Sequence, residues 1–265
     1  MQFRKDEPGE KQIDLEPGIA SNELKSARMQ FETHYTYDFV KRFLPSATEH
    51  ILEVGCGAGE LAACLAKEGY GVVAIYSDRD SVAAAQRLGV DARMAMWPDF
   101  NGGQFDAVLF TRSLHHIHPL DESVGRAAES LAEGGRIIVE DFAYDSADEK
   151  TLRWFRNAIR LLEANGPDID DGFLVKVLSR MRTLDAWQQN HEHALHTAAE
   201  IAAQLEKSFS CLIKENAAYY FRYIAGAIAP SEKRDAILQA FAEQEETLAA
   251  GGSIVPLGRR FVAMR

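Results

Sequence analysis

The 265-residue sequence predicts an α/β fold built on a doubly wound, mostly parallel sheet. Three observations carry that prediction. Short apolar, β-branched runs recur between residues 50 and 142: HILEV, GVVAIY, DARMAM, FDAVLF and RIIVEDF. Ala- and Leu-rich stretches of helical length separate several of them: GELAACLAKEG, DSVAAAQRLG and LDESVGRAAESLAEGG. The runs are continuously apolar rather than alternating, which marks strands covered on both faces.

The elements follow in order. Residues 1–20 are polar, with two Pro-Gly breaks, and read as a flexible leader or an adapting lid. Residues 21–44 carry apolar side chains at helical spacing up to Pro45 and predict a helix or a pair of helices, so 1–45 are leader and lid. Residues 46–145 read as the α/β core. Residues 146–208 carry helical patterns with interleaved charges, broken at NGPDIDDG, and read as a helical cap inserted on the sheet. Residues 209–265 complete the sheet. Their aromatic stretch FSCLIKENAAYYFRYIAGAI reads as a return to it, 231–250 as a helix begun by Pro230 and Ser231 and stopped by Gly251 and Gly252, and GRRFVAMR as a final strand.

Bulk properties exclude several classes. With 46% hydrophobic and 26% charged residues the chain is of ordinary globular composition. A net charge of −11 argues against non-specific nucleic-acid binding, which needs basic patches to displace counterions. No run of about 18 apolar residues predicts a membrane span. The N-terminus has no apolar run of a secretory signal, so a cytoplasmic protein is expected. Cys56, Cys64 and Cys211 are too few and too irregular for a disulfide framework or a zinc ribbon. HEHALH, with His191, Glu192, His193 and His196, lacks the H-E-x-x-H spacing of a helical zinc site. It reads as a solvated or substrate-facing helix, the alternative being a metal shared with HHIH; no metal site is expected.

The stretch EVGCGAGEL joins a strand to a helix, with Gly55, Gly57 and Gly59 spaced G-x-G-x-G. Glycines there let a ligand lie against bare backbone, and the next helix offers free N–H groups. Glu53 closes the strand with a carboxylate suited to a donor-rich or cationic ligand. The third glycine comes one residue earlier than in a dinucleotide fingerprint.

With ILEVGCGAGELAACLAKEGYGVVAIYSD, FDAVLFTRSLHHIHPLDESV and LAEGGRIIVEDF, residues 48–142 resemble the class I S-adenosylmethionine-dependent methyltransferases of small-molecule type. GSIVPLGRRFVAMR is similar to that fold's last hairpin. The resemblance implies a Rossmann-like sheet. It also implies that Glu53, Gly55, Cys56, Gly57, Ala58 and Gly59 hold the methionine portion and ribose edge of S-adenosylmethionine or S-adenosylhomocysteine. It implies an acid at the end of the second strand, where Tyr76 stands, followed by Ser77 and then Asp78. It implies a further acid after the third strand, where Met96, or less well Met94, stands, with Trp97 stacking on adenine. Losing a hydrogen bond to a charged group costs about 1.5–3 kcal/mol, and two such losses weaken binding by about a hundredfold or more.

Thr111 and the residues after it lie at the carboxyl end of the fourth strand, where ligands of parallel α/β sheets sit. His115 and His116 are the candidate general bases, with His118 behind them; the alternative is helix capping and packing. Glu140 and Asp141 end the fifth strand and read as a polar strand end first, as candidates for chemistry second. Tyr35, in THYTYD, either touches the cofactor or belongs to an aromatic face packed on the sheet. Tyr219, Tyr220, Phe221 and Tyr223 with Arg222, joined by Trp154, Phe155 and Trp187, form an acceptor pocket, or else core or a dimer interface. The expected function is methyl transfer to a small organic molecule, with a homodimer as the candidate assembly. The alternative is a methyltransferase-fold protein with lost or altered cofactor binding, acting as a non-methylating enzyme or as a binding or regulatory protein.

Overall fold

The computed structural model describes residues 29–165, 171–179, 183–191 and 194–265. The leader at 1–20, with Glu192 and His193, lies outside the described residues. Helix α1 (Phe31–Phe43) precedes a sheet whose first half alternates strand and helix: β1 (His50–Val54), α2 (Glu60–Lys67), β2 (Gly71–Tyr76), α3 (Arg79–Arg87) and β3 (Asp91–Met94). The second half begins with β4 (Phe105–Thr111), α4 (Leu120–Ser130) and β5 (Leu131–Phe142). Helices α5 (Glu149–Asn165), α6 (Gly172–Ser179), α7 (Thr183–Asn190) and α8 (Ala198–Ser208) follow. The chain then closes with β6 (Ser210–Ala217), α9 (Tyr220–Ala225), α10 (Glu232–Ala250) and β7 (Gly258–Met264).

The seven strands run in the order β3-β2-β1-β4-β5-β7-β6. Strands β1 to β5 pair in parallel, while β7 pairs antiparallel with both β5 and β6. The order reverses between β1 and β4, and the carboxyl ends of these two strands open the crevice that the site occupies. The period of two sends Leu52 and Ile51 to opposite faces. Leu52, Val54, Val108 and Phe110 pack with Val124 of α4 and Leu205 of α8. Ile51, Ala74, Leu109 and Ile138 pack with Phe39 and Val40 of α1, Leu65 of α2 and Val82 of α3.

A third apolar cluster joins Leu152 and Phe155 of α5, Leu174 of α6, Trp187 of α7, Tyr220 and Phe221 of α9, and Phe241 of α10. Helix α8 instead packs on α4 and the β6–β7 edge. The aromatic stretch divides: Ser210–Ala217 joins the sheet, whereas Tyr220–Ala225 is helical. Its β-rich composition is overridden by a buried carboxylate. Glu245 of α10 accepts the Tyr219 and Tyr220 backbone N–H groups at 2.7 and 2.9 Å, which satisfies the open N-terminus of α9. LAEGG, read as the end of a helix, opens β5 instead. Among the described residues, no helix is long and apolar enough to cross a membrane.

Candidate active site

Three neighbouring cavities open at the carboxyl ends of β1, β2 and β4. The first, about 230 Å³, is lined by Glu53, Gly55, Cys56, Gly57, Ala58 and Thr111, with Thr33 and Thr36 from α1. The second, about 530 Å³, is lined by Gly55, Tyr76, Ser77, Met96, Trp97 and His116. The third, about 670 Å³, lies towards α7 and α9 and is lined by His115, His116, Phe142, His191, Tyr219 and Arg222 among others. Gly55 is common to the first two, His116 to the last two, and Arg112 to all three.

The glycine loop is held by its own backbone. Gly55 and Cys56 N–H groups donate to Ile75 O at 2.9 and 3.2 Å, tying the turn to the end of β2. Gly55 has φ +82°, and a Cβ there would lie 2.4 Å from Ser113 Cβ. Gly57 has φ +54°, and a Cβ there would meet no atom within 4 Å, so this stretch of backbone faces open space. Gly59 serves packing: a Cβ there would lie 2.4 Å from Ala85 Cβ, and the residue is not among those lining the cavities. The buried Cys56 thiol is pushed up to about 12, by burial first and by Glu53 second, so it stays protonated.

Glu53 is 1% exposed. Its Oε1 accepts from Thr111 Oγ1 at 3.0 Å, while its buried Oε2 has no partner. Burial pushes its pKa up to about 7, against the opposing hydrogen bond from Thr111 and the Arg112 charge. A buried carboxylate oxygen with no donor is costly, and an arriving cationic donor relieves that cost.

In the second cavity Tyr76 ends β2 opposite Met94, and Met94 and Met96 are 60% and 62% exposed. Trp97 is buried, donates its indole N–H to Ser123 O at 3.2 Å and meets Phe110 edge-on. Its ring thus belongs to the core and offers the cavity a wall. Asp78 does not bend back towards the ribose side, because it accepts Ser81 N–H at 2.8 Å as the N-cap of α3. Tyr35 is displaced from its expected place. Its hydroxyl donates to Glu246 Oε1 at 2.7 Å and accepts from Ala218 N–H at 3.0 Å. The helical phase of α1 instead presents Thr33 and Thr36 to the cofactor side.

The third cavity brings His115 and Asp141 together. His115 Nδ1 lies 2.7 Å from Asp141 Oδ1, with both side chains buried. Asp141 Oδ2 also accepts His115 N–H at 3.2 Å, and Oδ1 accepts Phe142 N–H at 2.9 Å. The carboxylate thus lies against the Nδ1 side of the ring and holds the His115 backbone through its other oxygen. The His116 ring is 4.1 Å from that of His115. His118 contacts Ala194 O at 3.1 Å and packs on His196. His191 contacts Trp187 O at 2.8 Å and the Tyr223 hydroxyl at 3.1 Å. Among the described residues, no group of three or more His, Cys, Asp or Glu side chains is placed to hold a metal.

Beyond Thr33 and Thr36, reading the sequence alone missed two residues. Arg112, directly after β4, has φ +64° and lines every cavity. Ser113 donates to Val54 O at 2.6 Å and packs under Gly55. Both sit in the stretch singled out for its histidines, and residue type alone did not separate them from ordinary loop residues.

Comparison with known proteins gives this arrangement a family. Residues 27–208 match the family described as "Methyltransferase domain". The ribosomal protein L11 methyltransferase of Methylobacillus flagellatus is 32% identical over 151 residues, 54% of this chain and 48% of its own length. The ubiquinone biosynthesis O-methyltransferase of Xylella fastidiosa is 31% identical over 131 residues, 46% of this chain and 51% of its own. The chain thus spans about half the length of the curated relatives it matches. A phosphoethanolamine N-methyltransferase 2 of Haemonchus contortus, solved with S-adenosyl-L-methionine, shares the fold with a TM-score of 0.53 at 17% identity, over 86% of this chain and 51% of that one. The unpartnered Glu53 oxygen and the open backbone at Gly57 fit the ammonium-bearing end of such a cofactor. The family match takes in more than two thirds of the sequence, including every strand from β1 to β5 and the glycine loop, and the chain belongs to the methyltransferase domain family.

Proposed function

We propose that this protein transfers a methyl group from S-adenosylmethionine to a small organic acceptor, with His115 as the base. The observation that carries the reading is the buried, unpartnered Oε2 of Glu53 in the glycine-loop cavity. An ammonium group is the donor that such an oxygen lacks. Bound S-adenosylmethionine supplies a methyl group already activated on a sulfonium. The chain's own residues then bind, orient and move one proton. Glu53 and the glycine-loop backbone hold the amino-acid end, Tyr76 and Ser77 wall the nucleoside side, and Trp97 closes it from below. His115 takes the acceptor's proton, with the Asp141 carboxylate beside its Nδ1.

A small acceptor is supported by the shape of the third cavity. At about 670 Å³, walled by aromatic side chains with a few polar groups, it has the size and character of small-molecule sites. Tyr76 and Met96 in place of two acids make the nucleoside side more apolar, so cofactor binding rests more heavily on Glu53 and the loop.

Calorimetric titration with S-adenosylhomocysteine tests the reading. Binding in the micromolar range, weakened at least tenfold by Glu53→Gln, is the expected result. No binding at millimolar ligand overturns the proposal.

A further inference from the structure

We infer that the acceptor cavity takes an aromatic carboxylic acid, its carboxylate held between the Arg112 and Arg222 guanidiniums. This names the acceptor class for the methyl transfer proposed above and rests on that reading.

The starting point is Glu140, buried at the end of β5. Arg112 Nη1, Arg222 Nη2 and Arg260 Nη2 lie 3.2, 2.6 and 2.7 Å from its oxygens, and Thr36 Oγ1 donates at 2.7 Å. One carboxylate therefore answers three cations. Arg260 is used up: Nε and Nη2 both donate to Glu140 Oε2, and Nη2 also donates to Tyr35 O. Arg112 and Arg222 share the other oxygen, and both line the acceptor cavity.

Arg222 carries the clearest sign of a missing partner. Its side chain is 9% exposed, and its buried Nε has no acceptor. Burial lowers its pKa to about 10, with Arg112 and Arg260 acting in the same direction and Glu140, then Tyr219, opposing. A second anion beside it relieves both the unpaired donor and the crowding of like charge.

The other charged groups of this wall do not supply that anion. Glu32 and Asp235 are both engaged by Arg234, at 3.0 Å for Glu32 Oε2 and 3.3 Å for Asp235 Oδ1. Asp141 is turned to His115. Arg112, Arg222 and Arg260 all face the one carboxylate of Glu140, a local excess of positive charge that suits an anionic guest. A planar carboxylate also matches the guanidinium fork. The body of the guest is indicated by the aromatic side chains of the same cavity, with the Arg222 guanidinium 5.7 Å from the Tyr219 ring. Phe142 and Tyr219 are stacked at 4.7 Å and 8° there, with the Tyr223 ring 6.0 Å from that of Tyr219. Such a wall suits a flat apolar ring.

The test is calorimetry with matched acids and amides: benzoate, salicylate and cinnamate against benzamide, salicylamide and cinnamamide. Each pair is titrated into ligand-free protein and into protein saturated with S-adenosylhomocysteine. At least one acid is expected to bind ten times more tightly than its amide. Arg112→Asn, which tolerates the left-handed backbone, and Arg222→Met are each expected to bring that ratio close to one, with unchanged amide affinity showing that the cavity survives. Equal binding of acids and amides, no binding of either, or a preference that persists in both variants overturns the inference. S-adenosylhomocysteine binding is read separately. Its absence removes the methyltransferase reading, while the acid-to-amide ratio on ligand-free protein still decides the anion site.

Discussion

Replacing Glu140 by Gln should destabilise the protein strongly, and by an amount that depends on pH. Glu140 is 2% exposed and accepts from Thr36, Arg112, Arg222 and Arg260. Burial alone raises its pKa, but the Arg222, Arg260 and Arg112 guanidiniums outweigh it and hold the group at about 2. The folded state thus binds a proton more weakly than the unfolded chain. The resulting stability is fully present above the unfolded value of 4.5 and is lost as pH falls towards about 2. The interval from 4.5 to about 2, at ~1.4 kcal/mol per pH unit, is worth about 3 kcal/mol near neutral pH. That agrees with the ~3–5 kcal/mol usual for breaking a buried ion pair from one side. Urea denaturation of both proteins at about pH 7 and about pH 3 measures it. The gap should be about 3 kcal/mol at the first pH and about half that at the second, because the unfolded carboxyl is already protonated there. A gap below about 1 kcal/mol at neutral pH, or one equal at both pH values, refutes the argument that the guanidiniums hold this fold through Glu140.

Three further outcomes are expected. Glu53, raised to about 7 by burial, must ionise to receive an ammonium, so S-adenosylhomocysteine affinity should rise about tenfold from pH 6 to its plateau near pH 8. The same shift makes the ligand-free protein lose stability as pH rises through about 7, and Glu53→Gln should flatten both profiles in calorimetry and thermal melts. Gly55→Ala combines φ +82° with a Cβ 2.4 Å from Ser113 Cβ and should cost about 2–5 kcal/mol in urea titrations, from ~1–2 for the backbone and ~1–3 for overpacking. Tyr76→Asp with Met96→Asp should tighten S-adenosylhomocysteine binding at least tenfold, from about 1.5–3 kcal/mol per restored charged hydrogen bond. Unchanged affinity would show that Tyr76 and Met96 are not what limits the nucleoside side.

The parallel core was legible because its signals are local. Five β-branched runs, the glycine loop and the helical stretches between them each carry their own period, and β1 to β5 lie where those runs stand. What escaped was set by contacts distant in sequence. Tyr220–Ala225 has the composition of a strand but is helical because Glu245, some 25 residues later, caps it. Glu140 and Asp141 read as a polar strand end. Their partners, Arg222, Arg260 and His115, become neighbours only after the sheet is assembled. The choice between His115 and His116 was open in the sequence, and the 2.7 Å approach of His115 Nδ1 to Asp141 Oδ1 is the ground for proposing His115. Tyr35 looked suited to a cofactor by residue type, yet the phase of α1 turns it to α10 and leaves Thr33 and Thr36 at the cavity.

Arg112 is a wall shared by three compartments, and its backbone is held in a conformation that L-residues seldom adopt. A guest that draws this guanidinium towards one compartment reshapes the other two. The occupancies of the cofactor and acceptor sites are then not independent quantities. Whatever factor the acceptor contributes to cofactor affinity, the cofactor must return to the acceptor in equal measure. In the proposed methyl transfer, a discharged cofactor, differing by one methyl and one positive charge, would meet the same wall, and the departure of one product would be tied to that of the other.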